Sequence, residues 1–225
     1  MIKILEVKES VFANNNKDAD NLRQELKAKN IFLINLMSSP GSGKTTTLLA
    51  LAAALKGKLR LGVMEADIDS AVDAEKMEAN GIKSIQIHTG GMCHLDASMT
   101  RQGIEGFDIS DLDVVILENV GNLVCPAEFD TGAAANMTIL SVPEGDDKPL
   151  KYPLIYEVCD LAIVNKTDVL PYFDFDKEKF EANVKRRNPT IDVLYLSAKN
   201  RTGIDALADW VLDRRAKWQA QPRKA

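Results

Sequence analysis

Ser38-Ser39-Pro40-Gly41-Ser42-Gly43-Lys44-Thr45 follows the apolar run Ile31-Phe32-Leu33-Ile34-Asn35-Leu36-Met37 and leads into the alanine- and leucine-rich run Leu48 to Leu55. That order is strand, loop, helix, the context in which a glycine-rich loop cradles phosphate. Gly41 and Gly43 let backbone N–H groups turn inward with no Cβ in the way, and the start of the next helix adds its partial positive charge. Lys44 supplies a mobile cation for the β and γ phosphates of a nucleotide, a catalytic as well as a binding role. The Thr45 hydroxyl is of the kind such loops place on Mg2+. Gly41, Ser42, Gly43, Lys44, Thr45 and Thr46 are therefore assigned to nucleotide binding, with Mg2+ expected alongside. The first position of the usual pattern, normally glycine, is Ser38 here.

Further along, Asp160-Leu161-Ala162-Ile163-Val164 ends in Asn165-Lys166-Thr167-Asp168, the spacing that reads guanine. The Asp168 carboxylate can accept from both the ring N1–H and the exocyclic 2-amino group, whereas adenine offers neither donor. A site that leaves a buried carboxylate unpaired with the wrong base can discriminate by about 10⁴. Lys166 would lay its aliphatic stem over the base, and Asn165 would tie this loop to the phosphate loop. After Ile191-Asp192-Val193-Leu194-Tyr195-Leu196 comes Ser197-Ala198-Lys199, whose backbone amide suits the guanine O6. GTP is the expected nucleotide.

From Ile31 onward, strand-like and helix-like stretches alternate. The pattern predicts strands near 31–37, 59–65, 84–88, 113–118, 137–142, 160–165 and 191–196, with helices at 44–56, 71–79, 96–105, 150–157, 176–187 and 203–217. Continuously apolar strands alternating with helices imply an α/β fold of three layers, a mostly parallel sheet flanked by helices, with ligands at the carboxyl ends of the strands. The expected division is an N-terminal arm and helix at 1–30, a P-loop GTPase domain at 31–217 and a C-terminal tail at 218–225. Within the first part, residues 1–16 read as a loose arm and 17–29 as a polar amphipathic helix.

Two acids end strands at positions fit for Mg2+ and water. Asp113-Val114-Val115-Ile116-Leu117-Glu118 puts Glu118 at a strand end, followed by Asn119-Val120-Gly121, and Asp67 closes Leu61-Gly62-Val63-Met64-Glu65-Ala66. Either could hold Mg2+ with Thr45 while the other orients the attacking water. A second constellation is Gly90-Gly91-Met92-Cys93-His94 with Cys125 in Asn122-Leu123-Val124-Cys125-Pro126. Two thiols and an imidazole suit Zn2+ or Ni2+ but are too few to close a site. Small buried cysteines are the common alternative; loop positions beside Gly-Gly and Pro favour metal. Cys93 precedes a helix start that would stabilise its thiolate. Cys159 reads as core and His88 as structural.

The chain has 225 residues with a net charge of −5, which suits one sizeable domain and argues against general nucleic-acid or acidic-membrane partners. No stretch has the length of a membrane span or a signal-peptide core, and three cysteines make no disulfide framework, so a cytoplasmic protein is expected.

The phosphate loop, Met92-Cys93-His94-Leu95, Glu118 to Pro126, Pro143-Glu144-Gly145-Asp146-Asp147-Lys148-Pro149 and Asn165 to Asp168, in this order, resemble the HypB family of nickel-incorporation GTPases for hydrogenase. The resemblance covers nearly all of residues 31–215. It implies the SIMIBI class of P-loop proteins, slow regulatory GTP hydrolysis, and a homodimer closed around GTP. It further implies a metallochaperone role with maturation partner proteins and the hydrogenase large subunit. Cys93, His94 and Cys125 then match a Ni2+ or Zn2+ site at the dimer interface, and Lys148 and Lys151 fall in a loop that reaches nucleotide across the dimer. Many bacterial members carry an N-terminal cysteine motif or histidine-rich stretch; residues 1–30 contain neither Cys nor His, so nickel storage there is not expected. The other readings are a GTPase chaperone for a different metalloenzyme, against which the absence of a Cys-Pro-His motif weighs for urease, and a small-molecule P-loop kinase, against which Asn165 to Asp168 weighs.

Overall fold

The computed structural model describes residues 7–67 and 72–222. In chain order the elements are α1 (Val7–Ala28), β1 (Phe32–Ser38), α2 (Lys44–Leu55), β2 (Leu61–Asp67), α3 (Val72–Ala79), β3 (Lys83–His88), α4 (Ala97–Gly106) and β4 (Val114–Glu118). They continue with α5 (Cys125–Glu128), β5 (Ala135–Ser141), α6 (Lys148–Lys151), α7 (Pro153–Val158), β6 (Leu161–Asn165), α8 (Lys177–Arg187), β7 (Asp192–Tyr195) and α9 (Ile204–Ala220). Among the described residues the strands form one sheet in the order β3-β2-β4-β1-β5-β6-β7. Every neighbouring pair is parallel.

The alternation along the central strands shows why both faces must be covered. Phe32, Ile34 and Leu36 of β1, with Val114 and Ile116 of β4, pack with Leu48 and Leu51 of α2 and Leu207 and Val211 of α9. Leu33, Val115 and Leu117 point the other way, into a cluster with Leu22 and Leu26 of α1 and Ile104 of α4. Met37, Leu140 and Val164 join Ile155 and Tyr156 of α7 and Phe180 and Val184 of α8. Each fully buried aliphatic side chain contributes ~2 kcal/mol of transfer free energy, so neither layer of helices is dispensable. The phosphate loop runs from β1, the central strand, and its neighbours β4 and β5 supply the other walls.

Three boundaries differ from the sequence-based expectation. Residues 1–6 of the expected loose arm lie outside the described residues, but from Val7 onward that arm is helical and continuous with the predicted helix. Asn15 in its Asn-rich stretch is buried, and its Nδ2 donates to the Asp130 carbonyl (2.9 Å) while its Oδ1 accepts from the Ala97 N–H (2.9 Å). Second, the single helix expected at 150–157 is two, α6 and α7, because Pro153 lacks the N–H to continue α6 and holds Tyr152 out of helical geometry. Third, the helix expected to end at 217 runs to Ala220. Trp218 in that extension is buried against Phe32, ring centroids 5.3 Å apart, and lies under the Lys27 ammonium at 4.2 Å.

Candidate functional site

The loop after β1 is shaped by side chains around it. Gly43 has φ +99°, and a Cβ there would lie 2.5 Å from Asn165 Nδ2, so only glycine fits. α2 begins immediately after it with no side-chain cap on its first N–H groups, which leaves these donors for an anion. Ser38, the departure from the usual glycine, is fully buried. Its hydroxyl takes hydrogen bonds from Ser42 Oγ (2.8 Å) and Lys44 Nζ (3.0 Å). Lys44 Nζ also lies 3.8 Å from Glu118 Oε1. Thr45 follows in the first turn; Thr46 is exposed on the rim of a groove shared with Ala198 and Lys199.

On the far side, Asn165 knits the phosphate loop and the two expected base-reading segments together. Its Nδ2 donates to the Ser42 carbonyl (3.0 Å), and its Oδ1 accepts from Lys166 N–H (2.7 Å) and Ala198 N–H (3.1 Å). Lys166 sits in left-handed backbone and its Nζ donates to the Gly41 carbonyl (2.7 Å). Ser197 Oγ donates to Asp168 Oδ1 (2.6 Å), which fixes the carboxylate with Oδ2 left for a ligand. Segments more than a hundred residues apart in sequence thus share one hydrogen-bonded frame.

The acids line a cleft of about 330 Å3 that also holds Pro40, Lys44 and Gly121. Asp67 is exposed at the end of β2, opposite His88 of β3 in register. Glu118 is buried and pairs in register with Glu65 of β2, also buried and also lining the cleft. Oxygen donors of the Thr45, Asp67 and Glu118 kind suit Mg2+. Glu65 is a third carboxylate that the motif reading passed over, since it sits inside an apolar run; the alternation that puts Val63 on the α2 side of the sheet also puts Glu65 there. A Cβ on Gly121 would meet the Pro40 ring at 3.1 Å, so the segment after Glu118 runs against the phosphate loop.

Cys93 and Cys125 come together in one chain, and Cys93 Sγ lies 3.8 Å from His94 Nδ1. His94 is stacked on Phe129, centroids 3.9 Å apart at 13°. The neighbouring Cys125 thiol, with partial desolvation, holds the Cys93 thiol above the usual cysteine range. That direction is opposite to the expectation of a thiolate stabilised by the helix start. Burial pushes His94 below the ordinary imidazole value, against the opposing pull of Asp96 and Glu128. Soft sulfur and neutral imidazole fit Ni2+ or Zn2+. Among the described residues, however, no three His, Cys, Asp or Glu side chains converge closely enough to hold a metal ion. Lys148 and Lys151 stand apart from the cleft: Lys148 lies over the Tyr152 ring at 5.4 Å and Lys151 pairs with Asp147 at 2.5 Å. Cys159 is buried in the core with its thiol raised well above the usual range by desolvation. No helix among the described residues is long and apolar enough to cross a membrane.

Comparison with known proteins gives the same architecture and a family. Residues 32–195 match the CobW/HypB/UreG nucleotide-binding domain. Hydrogenase maturation factor HypB of Escherichia coli K12 is 41% identical over 209 residues, 93% of this chain and 72% of that protein. The crystal structure of HypB from Helicobacter pylori in complex with nickel superposes with a TM-score of 0.87 at 33% identity, covering 94% of this chain and 99% of that one. The signal recognition particle receptor FtsY of Elizabethkingia anophelis shares the fold alone, with a TM-score of 0.53 at 16% identity over 91% and 72% of the two chains. The fold is therefore the three-layer P-loop architecture of the SIMIBI class.

Proposed function

Because the chain belongs to the HypB family of hydrogenase maturation factors, we propose that it is a GTP-hydrolysing metallochaperone that carries nickel to [NiFe] hydrogenase. The observation that carries this reading is the meeting of two sites on one short stretch: Glu118 lines the phosphate cleft and Cys125, seven residues on, touches Cys93. GTP is the substrate. Asp168, steadied by Ser197, selects guanine; Lys166, Ala198 and Lys199 frame the base. Lys44 moves from Ser38 and Glu118 onto the β and γ phosphates and balances the charge that grows as the γ-phosphoryl group leaves.

Mg2+ held by Thr45, Asp67 and Glu118 supplies charge neutralisation at those phosphates when bound. The exposed carboxylate of Asp67 orients the attacking water, and the buried Glu118 lies on the Lys44 side. Nickel, or zinc, is the cargo. Cys93, His94 and Cys125 give one chain an open ligand set, so two chains pool thiolates around a shared ion and GTP favours that homodimer. Lys148 and Lys151 then serve the partner's nucleotide. Maturation partner proteins and the hydrogenase large subunit receive the metal. The test is dimer fraction and bound Ni2+ or Zn2+ per chain for the wild type, Cys93→Ala and Cys125→Ala, each with GDP and with a non-hydrolysable GTP analogue. Wild-type stoichiometry in both variants would overturn the metal assignment, and indifference of dimer and metal to nucleotide would overturn gating.

A further inference from the structure

Asn119 follows Glu118, lines the phosphate cleft and is fully buried. Its backbone N–H donates to the Leu36 carbonyl of β1 at 2.9 Å. Its side-chain Oδ1 accepts from two backbone N–H groups, Val120 at 2.9 Å and Leu95 at 3.3 Å. Its Nδ2 donates to Asn35 Oδ1 at 3.1 Å, and Asn35 Nδ2 donates in turn to Asn136 Oδ1 at 3.1 Å. Three amides thus run across β4, β1 and β5, and their open end grips Leu95, the residue after His94. Leu95 is itself fully buried, so its N–H has no water to turn to if the amide moves away.

We infer that Asn119 is a positioning residue: its side-chain amide fixes the Cys93-His94-Leu95 segment to the acid-bearing rim of the phosphate cleft and transmits nucleotide occupancy to the metal ligands. This rests on the proposed nucleotide-gated metal binding. A buried amide with three fixed partners has one orientation, so a shift of the Glu118 to Gly121 backbone on taking up a γ-phosphate cannot be absorbed by the side chain and is passed to Leu95. Val120 N–H shares the same oxygen through its second lone pair, so one side chain bridges the two segments. The coupling is therefore built from a contiguous hydrogen-bonded element that both sites bias.

The test uses full-length Asn119→Ala, which removes the oxygen, and Asn119→Asp, which keeps an acceptor for Leu95 and Val120 but gives up the donor to Asn35. Calorimetry with Ni2+ alone measures affinity in the presence of GDP and of a non-hydrolysable GTP analogue, and hydrogen exchange follows the Leu95 amide. In the wild type the two nucleotides should change nickel affinity by about 5-fold or more. In Asn119→Ala the ratio should fall to within about 2-fold of unity, with GDP affinity held within ~3-fold and Leu95 exchange roughly 10-fold faster. Asn119→Asp should keep Leu95 protection and most of the ratio. Retention of both the ratio and the protection in Asn119→Ala overturns the inference. Should the alanine variant fail to fold, wild-type Leu95 exchange that is the same with GDP and with the analogue overturns it. A wild type whose nickel affinity ignores nucleotide instead sinks the gating reading, and Leu95 exchange then judges the positioning role by itself.

Discussion

At the residue scale, Asp168 shows how one neighbour narrows an outcome. Ser197 Oγ occupies Oδ1, so Asp168→Asn keeps an acceptor for the serine and turns its NH2 toward the base. Guanine presents donors there, whereas xanthine presents a carbonyl at position 2. Competition titrations should show GDP affinity falling by about 100-fold or more, with xanthosine diphosphate overtaking it; an unchanged order of preference would contradict the assignment. Lys44 is a second case. Its ammonium rests on Ser38 and near Glu118, poised beside the cleft rather than packed in the core. Lys44→Ala should lower GTP turnover at least ~10-fold through lost transition-state charge balance, while far-UV circular dichroism stays that of the wild type. Turnover within two-fold of normal would remove Lys44 from the chemistry.

At the scale of elements, α1 is the part whose role composition hides. Its sequence is polar, with mean hydropathy too low to suggest a core helix, yet Ala19, Leu22 and Leu26 are buried. Arg23 reaches both carboxylate oxygens of Asp130 at 2.7 Å and the Ala133 carbonyl at 3.0 Å. Asn15 joins the start of α4 to the loop after α5, the two segments that carry His94 and Phe129. Asn15→Leu leaves the Ala97 N–H and the Asp130 carbonyl without their partner, at a cost of ~2 kcal/mol. A urea titration should show the midpoint falling with an unchanged slope; a midpoint equal to the wild type would mean that α1 is held by its leucines alone.

At the scale of the molecule, one contribution to acid stability lies where α9 meets the amino ends of the strands. Asp113 Oδ2 accepts from Arg60 N–H and Nε at 3.0 Å each, and Oδ1 from Arg215 Nη2 of α9 at 3.3 Å. The hydrogen bond from Arg60 is the largest influence and holds the carboxyl below its ordinary 3.8, against a smaller penalty of burial. A depressed folded-state value means that the unfolded chain takes up the proton first as pH falls. The contribution is complete above about pH 5 and is lost as pH drops through the folded-state value. Arg60 is largely exposed, so screening limits the gain to ~1 kcal/mol at neutral pH. Asp113→Asn should lower stability by that amount at pH 7 and flatten its decline between about pH 5 and 3, as read by chemical denaturation at each pH. Parallel acid limbs for the two proteins would discount the pair.

What the sequence determined by itself was whatever is encoded within a few neighbouring residues. The inner strands were legible from largely apolar runs, because a sheet buried on both faces leaves little room for polar alternation, and the half-buried edge strands β3 and β7 from shorter apolar stretches. The phosphate loop and Asn165 to Asp168 were legible because glycine conformations and a paired carboxylate are local requirements. Pro153 also marks the break between α6 and α7, inside a stretch whose apolar pattern predicts one helix. Only the tertiary structure decided what depends on residues distant in the chain. Glu65 is a cleft acid because β2 lies in register beside β4. Asn15 is buried because Asp130 and Ala97 meet it there. The Cys93 thiol is raised because Cys125 is folded against it. The amides of Asn119, Asn35 and Asn136 form a line only because β4, β1 and β5 lie side by side. A polar side chain's identity gives its hydrogen-bonding capacity; which partners satisfy that capacity, and hence what it can transmit, is fixed by the packing of the whole chain.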